Sequence, residues 1–546
     1  MNPIRPELES LAAEKVDLLI VGGGINGAGT AREAAGRGLR VLLAERKDFA
    51  SGASGRSTKL LHGGLRYLEH GDFALVAEAL KERRTICGTL QPHATRPLPF
   101  VVPVYRGDRR SPWTIRAGLW LYDLLALKGR GLLHPHRWLG AAEAAGTLPA
   151  LETAGLRGAG VTWDCQMDDA RIVLENLEDA RALGAQTLNY CSLVSARKLS
   201  DGSVEAVLLD SERGAETTVR AGLLVVAAGA WTDQVFRALG SGKSGPKVRP
   251  TKGVHLVTRR LVDDRALLVP ARSDGRVFFV IPWELEGRPV SLIGTTDTDF
   301  KGDPDHVRAE EEDIDYLLKE TVRVLPGERL SRTDVRATFA GLRPLSAAST
   351  PDAGASKVSR EHTFWEEPGV LAVTGGKYTT YRSLCEALVE RAARRLGRKL
   401  GPRFSGGRPL PGAPRPGENP EQSAAERLAG TDAPQGAPAL LAARYGRYAG
   451  AVAELATENP NLARAVAPGS DCPAILAQAA WAARHERALH LDDFYLRRSR
   501  LGLLLPPDHR GVDAAATAMG RELGWDSDRE ARELERLKRA VDGEFR

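Results

Sequence analysis

The sequence predicts an α/β fold with a doubly wound parallel sheet, a second antiparallel sheet and a helical C-terminal region. Residues 16–46 have the pattern of a strand, a glycine-rich turn, a helix and a second strand. Residues 253–296 contain apolar runs with a period of two, which is typical of half-buried antiparallel strands. Residues 438–546 have mostly helical patterns. Together these segments predict a parallel sheet with helices, a separate antiparallel sheet and a helical C-terminal region.

Length and composition exclude several classes of protein. The 546 residues suffice for two or three domains. The net charge of +6 favours an anionic substrate or an anionic membrane surface, and no dense basic stripe indicates a nucleic acid. The five cysteines are scattered, which predicts neither disulfides nor a metal site and favours a reducing compartment. We find no signal peptide and no spanning apolar run, and we expect a cytoplasmic location.

The segment LLIVGGGINGAGTAREAAGRGLRVLLAER, residues 18–46, has the pattern of a Rossmann-like dinucleotide-binding unit. Gly22 would turn the chain off the first strand, Gly24 would let the backbone approach a pyrophosphate, and Gly27 would let the helix pack closely. The helix N-terminus offers N–H groups to the phosphates. Glu45 can bind ribose hydroxyls and argues against NADP. The predicted contacts at this end are Gly22, Gly24, Ile25, Asn26, Gly27 and Glu45.

Later segments return to the same sheet, so the nucleotide-binding domain is predicted to be split. Loops at 50–64, 229–231 and 374–380 should meet at the carboxyl ends of its strands, where ligands bind in such folds. The predicted boundaries are 1–100, 166–250 and 346–399 for this domain, 101–165 and 251–345 for an inserted domain, 400–437 for a Pro- and Gly-rich linker, and 438–546 for a helical domain.

The stretch WTIRAGLWLYDLLAL, residues 113–127, is too short to span a bilayer and carries charged residues. It predicts a buried or half-buried helix. An alternative interpretation is a helix that lies in a membrane interface, with its tryptophans and flanking cations as anchors.

Seven motifs follow one another along the chain: VGGGINGAGTAREAAGRGL, STKLLHGGLRYLEHGDFALVAEAL, AAGAWTD, KGVHLV, IGTTDTDF, AGLRPL and TGGKYTTYR. Together they resemble the FAD-dependent glycerol-3-phosphate dehydrogenases of the amine-oxidase-like flavoprotein superfamily. The tail WAARHERALHLDDFYLRRSRLGLL, residues 481–504, is similar to the C-terminal domain of that family. The resemblance implies a Rossmann-like FAD-binding domain built from split segments, an inserted antiparallel-sheet substrate domain and an α-helical C-terminal domain.

The same resemblance implies FAD as the cofactor and indicates which residues lie near its flavin. Most of them belong to the three glycine-containing loops at the carboxyl ends of the strands. The expected contacts are Ser57, Thr58, Lys59, Leu60, His62, Gly63, Gly64, Val194, Gly229, Trp231, Gly375, Gly376, Lys377 and Thr379.

Three cations and one histidine stand in the substrate-site motifs of the family. A phosphomonoester needs charge-assisted donors, which Arg66 would supply. Arg343 and Lys377 would lie nearer the reacting carbinol. His255 has a suitable pKa for a general base that removes the hydroxyl proton. We therefore expect His255, Arg343 and Lys377 to be catalytic and all four residues to bind substrate.

The resemblance implies oxidation of sn-glycerol 3-phosphate to dihydroxyacetone phosphate, with hydride transfer to flavin N5 and a membrane quinone as the next acceptor. We expect peripheral attachment to the inner face of the cell membrane. Alternatives are an oxidase that uses oxygen, an amine or amino-acid oxidase on the same fold, and a non-catalytic flavin-binding protein. The sequence leaves open the acceptor, the oligomeric state, for which a homodimer is one alternative, and the role of the helical domain.

Overall fold

The computed structural model describes residues 7–12, 15–126, 133–240, 245–347 and 362–545, without the side chains of Arg66, Glu69, His70, Glu544 and Phe545. The strands are β1 (Val16–Val21), β2 (Val41–Ala44), β3 (Leu60–Leu61), β4 (Thr95–Tyr105), β5 (Arg137–Leu139), β6 (Leu156–Met167), β7 (Gln186–Leu188), β8 (Cys191–Lys198), β9 (Val204–Asp210), β10 (Ala215–Val226), β11 (Val248–Arg259), β12 (Ala266–Pro270), β13 (Val277–Leu285), β14 (Arg288–Gly294), β15 (Thr298–Asp299), β16 (Val335–Ser346), β17 (Thr363–Glu367) and β18 (Val370–Thr374). The helices are α1 (Leu8–Ala12), α2 (Ile25–Gly36), α3 (Phe73–Thr85), α4 (Pro112–Ala126), α5 (Ala141–Thr147), α6 (Asp169–Ala182), α7 (Thr232–Ala238), α8 (Glu311–Val324), α9 (Tyr381–Leu396), α10 (Pro420–Leu428), α11 (Ala437–Tyr445), α12 (Ala449–Glu458), α13 (Ala477–His485), α14 (Leu491–Asp493), α15 (Val512–Leu523) and α16 (Ser527–Phe545).

The first sheet has the strand order β17-β18-β10-β1-β2-β7, and β9 and β8 extend it from β10. Its central strands β18, β10, β1 and β2 run parallel. They are almost wholly apolar because α2, α6 and α9 cover one face and a second core covers the other. Three separated parts of the chain supply these parallel strands, as the split-domain prediction requires.

The second sheet has the order β15-β11-β14-β13-β12-β4-β6-β3, with β16 beside β11 and β5 beside β6. Its pairs are antiparallel except for β12 with β4. The predicted boundary at residue 100 falls inside β4, which begins at Thr95. The first half of this strand contains Pro97 and Pro99, and proline is uncommon inside strands. The apolar pattern of a strand is therefore visible in the sequence only from Phe100.

The helical domain packs on one face of the second sheet. Residues of α10 to α16 share a hydrophobic core with Phe100, Val257 and Ile281 of that sheet. Buried ion pairs reinforce this contact, for example Arg444 with Glu286, in which Arg444 Nη1 lies 2.8 Å from the Glu286 carboxylate. The sequence left the role of the helical domain open. These contacts show that the domain covers and supports one face of the second sheet.

The segment 400–437 is not a simple linker. It contains α10, which begins with Asn419 as N-cap and Pro420 in the first turn. Leu410 is buried in the core of the first domain, and Arg408 donates to Asp179 of α6 at 2.8 Å. The prolines and glycines therefore shape a packed connection. The Asn-Pro pair was the available sign of a helix start.

Candidate active site

A cavity of about 1320 Å³ lies between the carboxyl ends of the first sheet and one end of the second sheet. It exceeds the roughly 300–1,000 Å³ that is usual for small-molecule sites, which leaves room for a dinucleotide and a substrate together. The loops at 50–64, 229–231 and 374–380 meet there, as predicted, together with the glycine-rich turn after β1. The predicted residues that line it are Gly22, Gly24, Ile25, Asn26, Glu45, Ser57, Thr58, Leu60, His62, Gly64, Gly229, Trp231, His255, Arg343, Gly375, Gly376 and Lys377.

The glycine-rich turn has the geometry that close packing requires. Gly22 follows β1 with φ of +115°, and a Cβ there would lie 2.5 Å from the carbonyl oxygen of Ala227. A Cβ on Gly27 would lie 1.8 Å from the carbonyl oxygen of Gly22. Gly24 caps α2 without a side-chain hydrogen bond, and the helix N-terminus opens on the cavity. This arrangement fits the pyrophosphate of a dinucleotide.

Two side chains at this part of the cavity also fit a dinucleotide. Glu45 directly follows β2, and its carboxylate accepts hydrogen bonds from the N–H of Gly23 at 2.6 Å and of Lys47 at 2.9 Å. Burial raises the pKa of Glu45, and these two N–H groups oppose the shift. Trp231 has a buried Nε1 without a hydrogen-bond partner among the described residues. A bound ligand with an acceptor atom would satisfy that donor.

His255 stands on β11 with its imidazole in the cavity wall. Its Nε2 lies 3.0 Å from Thr58 Oγ1, and its ring stacks on Phe339 at a centroid distance of 4.8 Å. Burial, followed by the positive charges of Arg343 and Lys59, holds the pKa of His255 well below its usual 6.5. The imidazole is therefore uncharged near neutral pH and can accept a proton.

Arg343 reaches the cavity from β16, and its guanidinium is held in one orientation. Nη1 donates to Asp297 Oδ1 at 3.0 Å, and Nη2 donates to Thr295 Oγ1 at 3.0 Å. Gly253 leaves room for it, because a Cβ there would lie 2.5 Å from Nη2. A fork fixed in this way presents positive charge to the cavity at a defined position.

Lys377 lies in the loop after β18, and its Nζ stands 3.4 Å from the centroid of the Tyr67 ring. Gly64 makes room for that ring, because a Cβ there would lie 2.4 Å from Cδ2 of Tyr67. Arg66 belongs to the same short 3₁₀ helix as Tyr67, Leu65–His70. The side chain of Arg66 lies outside the described part of the structure, so its proposed contact with phosphate stays a prediction.

Five predicted contact residues do not line the cavity among the residues that the structure describes: Gly27, Lys59, Gly63, Val194 and Thr379. Thr379 instead holds the 50–64 loop, because its Oγ1 accepts a hydrogen bond from the N–H of His62 and donates one to the carbonyl oxygen of His62, both at 3.2 Å. Gly63 donates its N–H to Tyr122 at 3.0 Å. Val194 is 41% exposed on β8, beside the cavity-lining Leu193. Of these five residues, Gly63 and Thr379 therefore contribute to the scaffold of the site.

Lys59 points away from the cavity into a buried ion pair. Its backbone adopts φ of +60°, which is rare for a residue with a side chain. This turn directs the ammonium to Asp169, with Nζ–O distances of 2.8 and 2.6 Å. Sequence reasoning could not place Lys59 in this way, because its partner is distant along the chain.

Sequence reasoning missed several residues of the cavity wall. Ser54 accepts the N–H of Ile25 at 2.9 Å and so joins the 50–64 loop to the start of α2. Thr295 and Asp297 orient Arg343, and they lie in the IGTTDTDF motif, which could have identified them. Five arginines form a rim at the cavity, called here the arginine rim: Arg106, Arg109, Arg110, Arg272 and Arg276.

Helix α4 borders the cavity and exposes an apolar face. Trp113 is 75% exposed, Trp120 is 61% exposed and Leu124 is 45% exposed. With the exposed Ala117 they lie at helical spacing and form one stripe, called here the α4 stripe. Leu119 and Tyr122 on the other side are buried, so the helix is half-buried as predicted. None of the helices that the structure describes is long and apolar enough to cross a membrane.

Comparison with known proteins identifies the class. Residues 17–382 match the family model described as FAD dependent oxidoreductase, and residues 406–530 match that of the C-terminal domain of alpha-glycerophosphate oxidase. The cavity and the glycine turn are thus those of an FAD-dependent oxidoreductase.

Individual relatives narrow the class. The chain is 38% identical over 532 residues to glycerol-3-phosphate dehydrogenase 2 of Mycobacterium tuberculosis, which covers 95% of this chain and 87% of that protein. It is 39% identical over 407 residues to D-erythritol 1-phosphate dehydrogenase of Brucella abortus, covering 73% of this chain and 78% of that protein. The structure of glycerol-3-phosphate dehydrogenase from Bacillus halodurans, complexed with FAD, is similar with a TM-score of 0.77 and 28% identity, over 98% of this chain and 96% of that one. The chain therefore belongs to the FAD-dependent oxidoreductases and, within them, to the glycerol-3-phosphate dehydrogenase family.

Proposed function

We propose that this protein oxidises sn-glycerol 3-phosphate to dihydroxyacetone phosphate with FAD as its cofactor. The observation that carries the proposal is the meeting of His255, Arg343 and Lys377 in the cavity that also contains the glycine turn. Two cations that line the same cavity as an uncharged base suit a substrate that carries a phosphate and a secondary alcohol. The relatives named for this reaction support the same substrate.

The side chains divide the work as follows. Arg343 binds and orients an oxygen of the substrate, and Lys377 supplies a second positive charge for the anion. His255 acts as the base through Thr58, with Nε2 as the acceptor of the Thr58 hydroxyl. The substrate hydroxyl gives its proton to the Thr58 oxygen while Thr58 passes its own proton to Nε2. When bound, FAD supplies the acceptor for the hydride that leaves the carbinol carbon. The cavity walls of the two sheets keep the reacting groups close together.

Substrate selectivity tests this proposal against the other phosphorylated polyol named among the relatives. We expect kcat/KM for glycerol 3-phosphate to exceed that for D-erythritol 1-phosphate and for unphosphorylated glycerol, with the largest gap for glycerol because no anion reaches the cations. Inorganic phosphate should compete with glycerol 3-phosphate. A higher kcat/KM for the four-carbon substrate, or no inhibition by phosphate, would assign another substrate.

We also propose that the electrons pass to a membrane quinone and that the α4 stripe and the arginine rim dock the protein on an anionic bilayer. The stripe presents two exposed tryptophans, which favour the interfacial zone of a membrane. The five rim arginines outnumber the acidic residues beside them, Asp108 and Asp274. Since both features border the cavity, docking would turn its mouth toward the bilayer. Stoichiometric hydrogen peroxide in air would favour oxygen as acceptor.

Replacing Trp113 and Trp120 together by serine should weaken binding to phosphatidylglycerol vesicles by about 10-fold or more, since each ring would otherwise bury a large apolar area. Co-sedimentation of protein with vesicles measures the effect, and raised salt should weaken binding of the unchanged protein. Val194→Ser removes an exposed apolar side chain elsewhere and serves as control. Equal binding of the double variant and the unchanged protein would refute docking through α4.

A further inference from the structure

The 50–64 loop places a cavity-lining residue and a buried lysine side by side. Thr58 lines the cavity and bonds His255, whereas Lys59 turns in the opposite direction through its left-handed backbone. The two orientations depend on each other, because the turn that buries the ammonium also directs the hydroxyl toward the imidazole. Ser57 and Lys59 stand on either side of Thr58. A contact that holds these two residues therefore also holds Thr58.

Asp169, the first residue of α6, is the anchor of this loop. It is fully buried, and its Oδ2 accepts hydrogen bonds from both the N–H of Ser57 at 3.1 Å and its hydroxyl at 2.7 Å. The same carboxylate binds Lys59 Nζ, which also donates to the carbonyl oxygen of Gly55 at 2.8 Å. One carboxylate thus fixes the residues on either side of Thr58.

Arg500 of the helical domain completes the cluster from the other side. Its Nη2 donates to Asp169 Oδ1 at 2.6 Å, and its Nη1 lies 3.3 Å from the carbonyl oxygen of Gly55. It is 6% exposed and does not line the cavity. Its own backbone N–H donates to Glu286 of the second sheet at 2.8 Å. Arg500 therefore joins the helical domain to the turn that presents Thr58, directly at Gly55 and through Asp169 at Ser57 and Lys59.

We propose that Arg500 is a positioning residue for catalysis: acting through Asp169 and Gly55, it holds Thr58 against His255. The helical domain then influences the reaction through Arg500, although Arg500 does not line the cavity. The kinetic test of this inference measures turnover of glycerol 3-phosphate and therefore rests on the proposed function. A test on the conformation of the loop is independent of the substrate.

Arg500→Lys keeps the charge but cannot bind Asp169 and Gly55 together with a single fork. We expect it to retain FAD and to lower kcat about 10-fold or more with little change in KM, because small misplacements of catalytic groups are costly. Amide hydrogen exchange of peptides covering residues 51–60, measured in the full-length protein, should become faster. Ser57→Ala removes one bond to Asp169 without leaving a buried charge unpaired, and it should have the same effects in weaker form.

The matched control is Arg536→Lys, the same substitution at another arginine of the helical domain, which donates to Asp492 at 2.7 Å and to Tyr190 of the first domain at 3.2 Å and has no contact with Asp169 or Gly55 among those of the described residues. It should lower the melting temperature but leave kcat and the exchange of residues 51–60 unchanged. In a Thr58→Val background, Arg500→Lys should lower kcat no further, since the hydroxyl that it positions is gone. Independent losses of kcat in that double variant, or unchanged loop exchange in Arg500→Lys, would overturn the inference. Failure of the unchanged protein to oxidise glycerol 3-phosphate would instead overturn the proposed function.

Discussion

His255→Asn should lower kcat about 100-fold or more, which is the usual loss when a general base is removed. Asparagine can still bond Thr58 but cannot accept a proton, so FAD and substrate should remain bound. Steady-state kinetics with an artificial acceptor, together with the flavin absorbance of the purified variant, measure both parts. The fall should lie in kcat rather than in flavin content.

The control is His93→Asn, which removes another buried imidazole that bonds Glu175 at 2.9 Å and lies away from the cavity. It should reduce stability without a comparable loss of kcat. Unchanged turnover in His255→Asn would exclude His255 as the base. An equal loss in both variants would point to a general effect of deleting a buried histidine.

Arg343→Gln should lower kcat/KM about 100-fold or more, because a fixed cation that stabilises developing charge is lost and Asp297 is left without this partner. Arg343→Lys should recover only part of the activity, since an ammonium cannot bind Asp297, Thr295 and substrate as a fork does. Arg249→Gln is the matched control, as it breaks a bidentate pair with Asp299 on the same sheet. Equal activity of Arg343→Gln and Arg249→Gln would exclude a role for Arg343.

Arg343→Gln should also change the pH dependence of kcat/KM. Activity requires uncharged His255, whose pKa lies well below 6.5, so activity should fall only as the pH drops through that low value. The positive charge of Arg343 contributes to the low pKa. In Arg343→Gln the pKa of His255 should therefore rise, and the acid limb of kcat/KM should move to higher pH. An acid limb that stays in place would show that Arg343 does not act on His255.

The nucleotide-binding part of the fold could be predicted because each of its residues has a local mechanical role. Gly22 must turn, Gly27 must leave room for a carbonyl oxygen, and both requirements are visible in the spacing of the glycines. The motifs around His255 and Arg343 were sufficiently specific to indicate a shared cavity, and the structure places both residues in its wall.

The parts that could not be predicted depend on contacts between distant segments. Lys59 was expected near the flavin, but its orientation is set by Asp169, which lies 110 positions along the chain. The contact of Arg500 with Asp169 spans 331 positions. Periodicity and local motifs contain no information on such pairs. The arginine rim was visible only in part: Arg109 and Arg110 flank the 113–127 helix in the sequence, whereas Arg272 and Arg276 reach the same cavity from a distant segment.

The most direct test of substrate oxidation is anaerobic addition of glycerol 3-phosphate to the purified protein with its FAD bound. We expect the flavin absorbance to bleach at a rate at least equal to steady-state turnover, and we expect His255→Asn to bleach about 100-fold more slowly. Dithionite provides the control for a flavin that can be reduced. Bleaching by dithionite but not by glycerol 3-phosphate would contradict the proposed reaction.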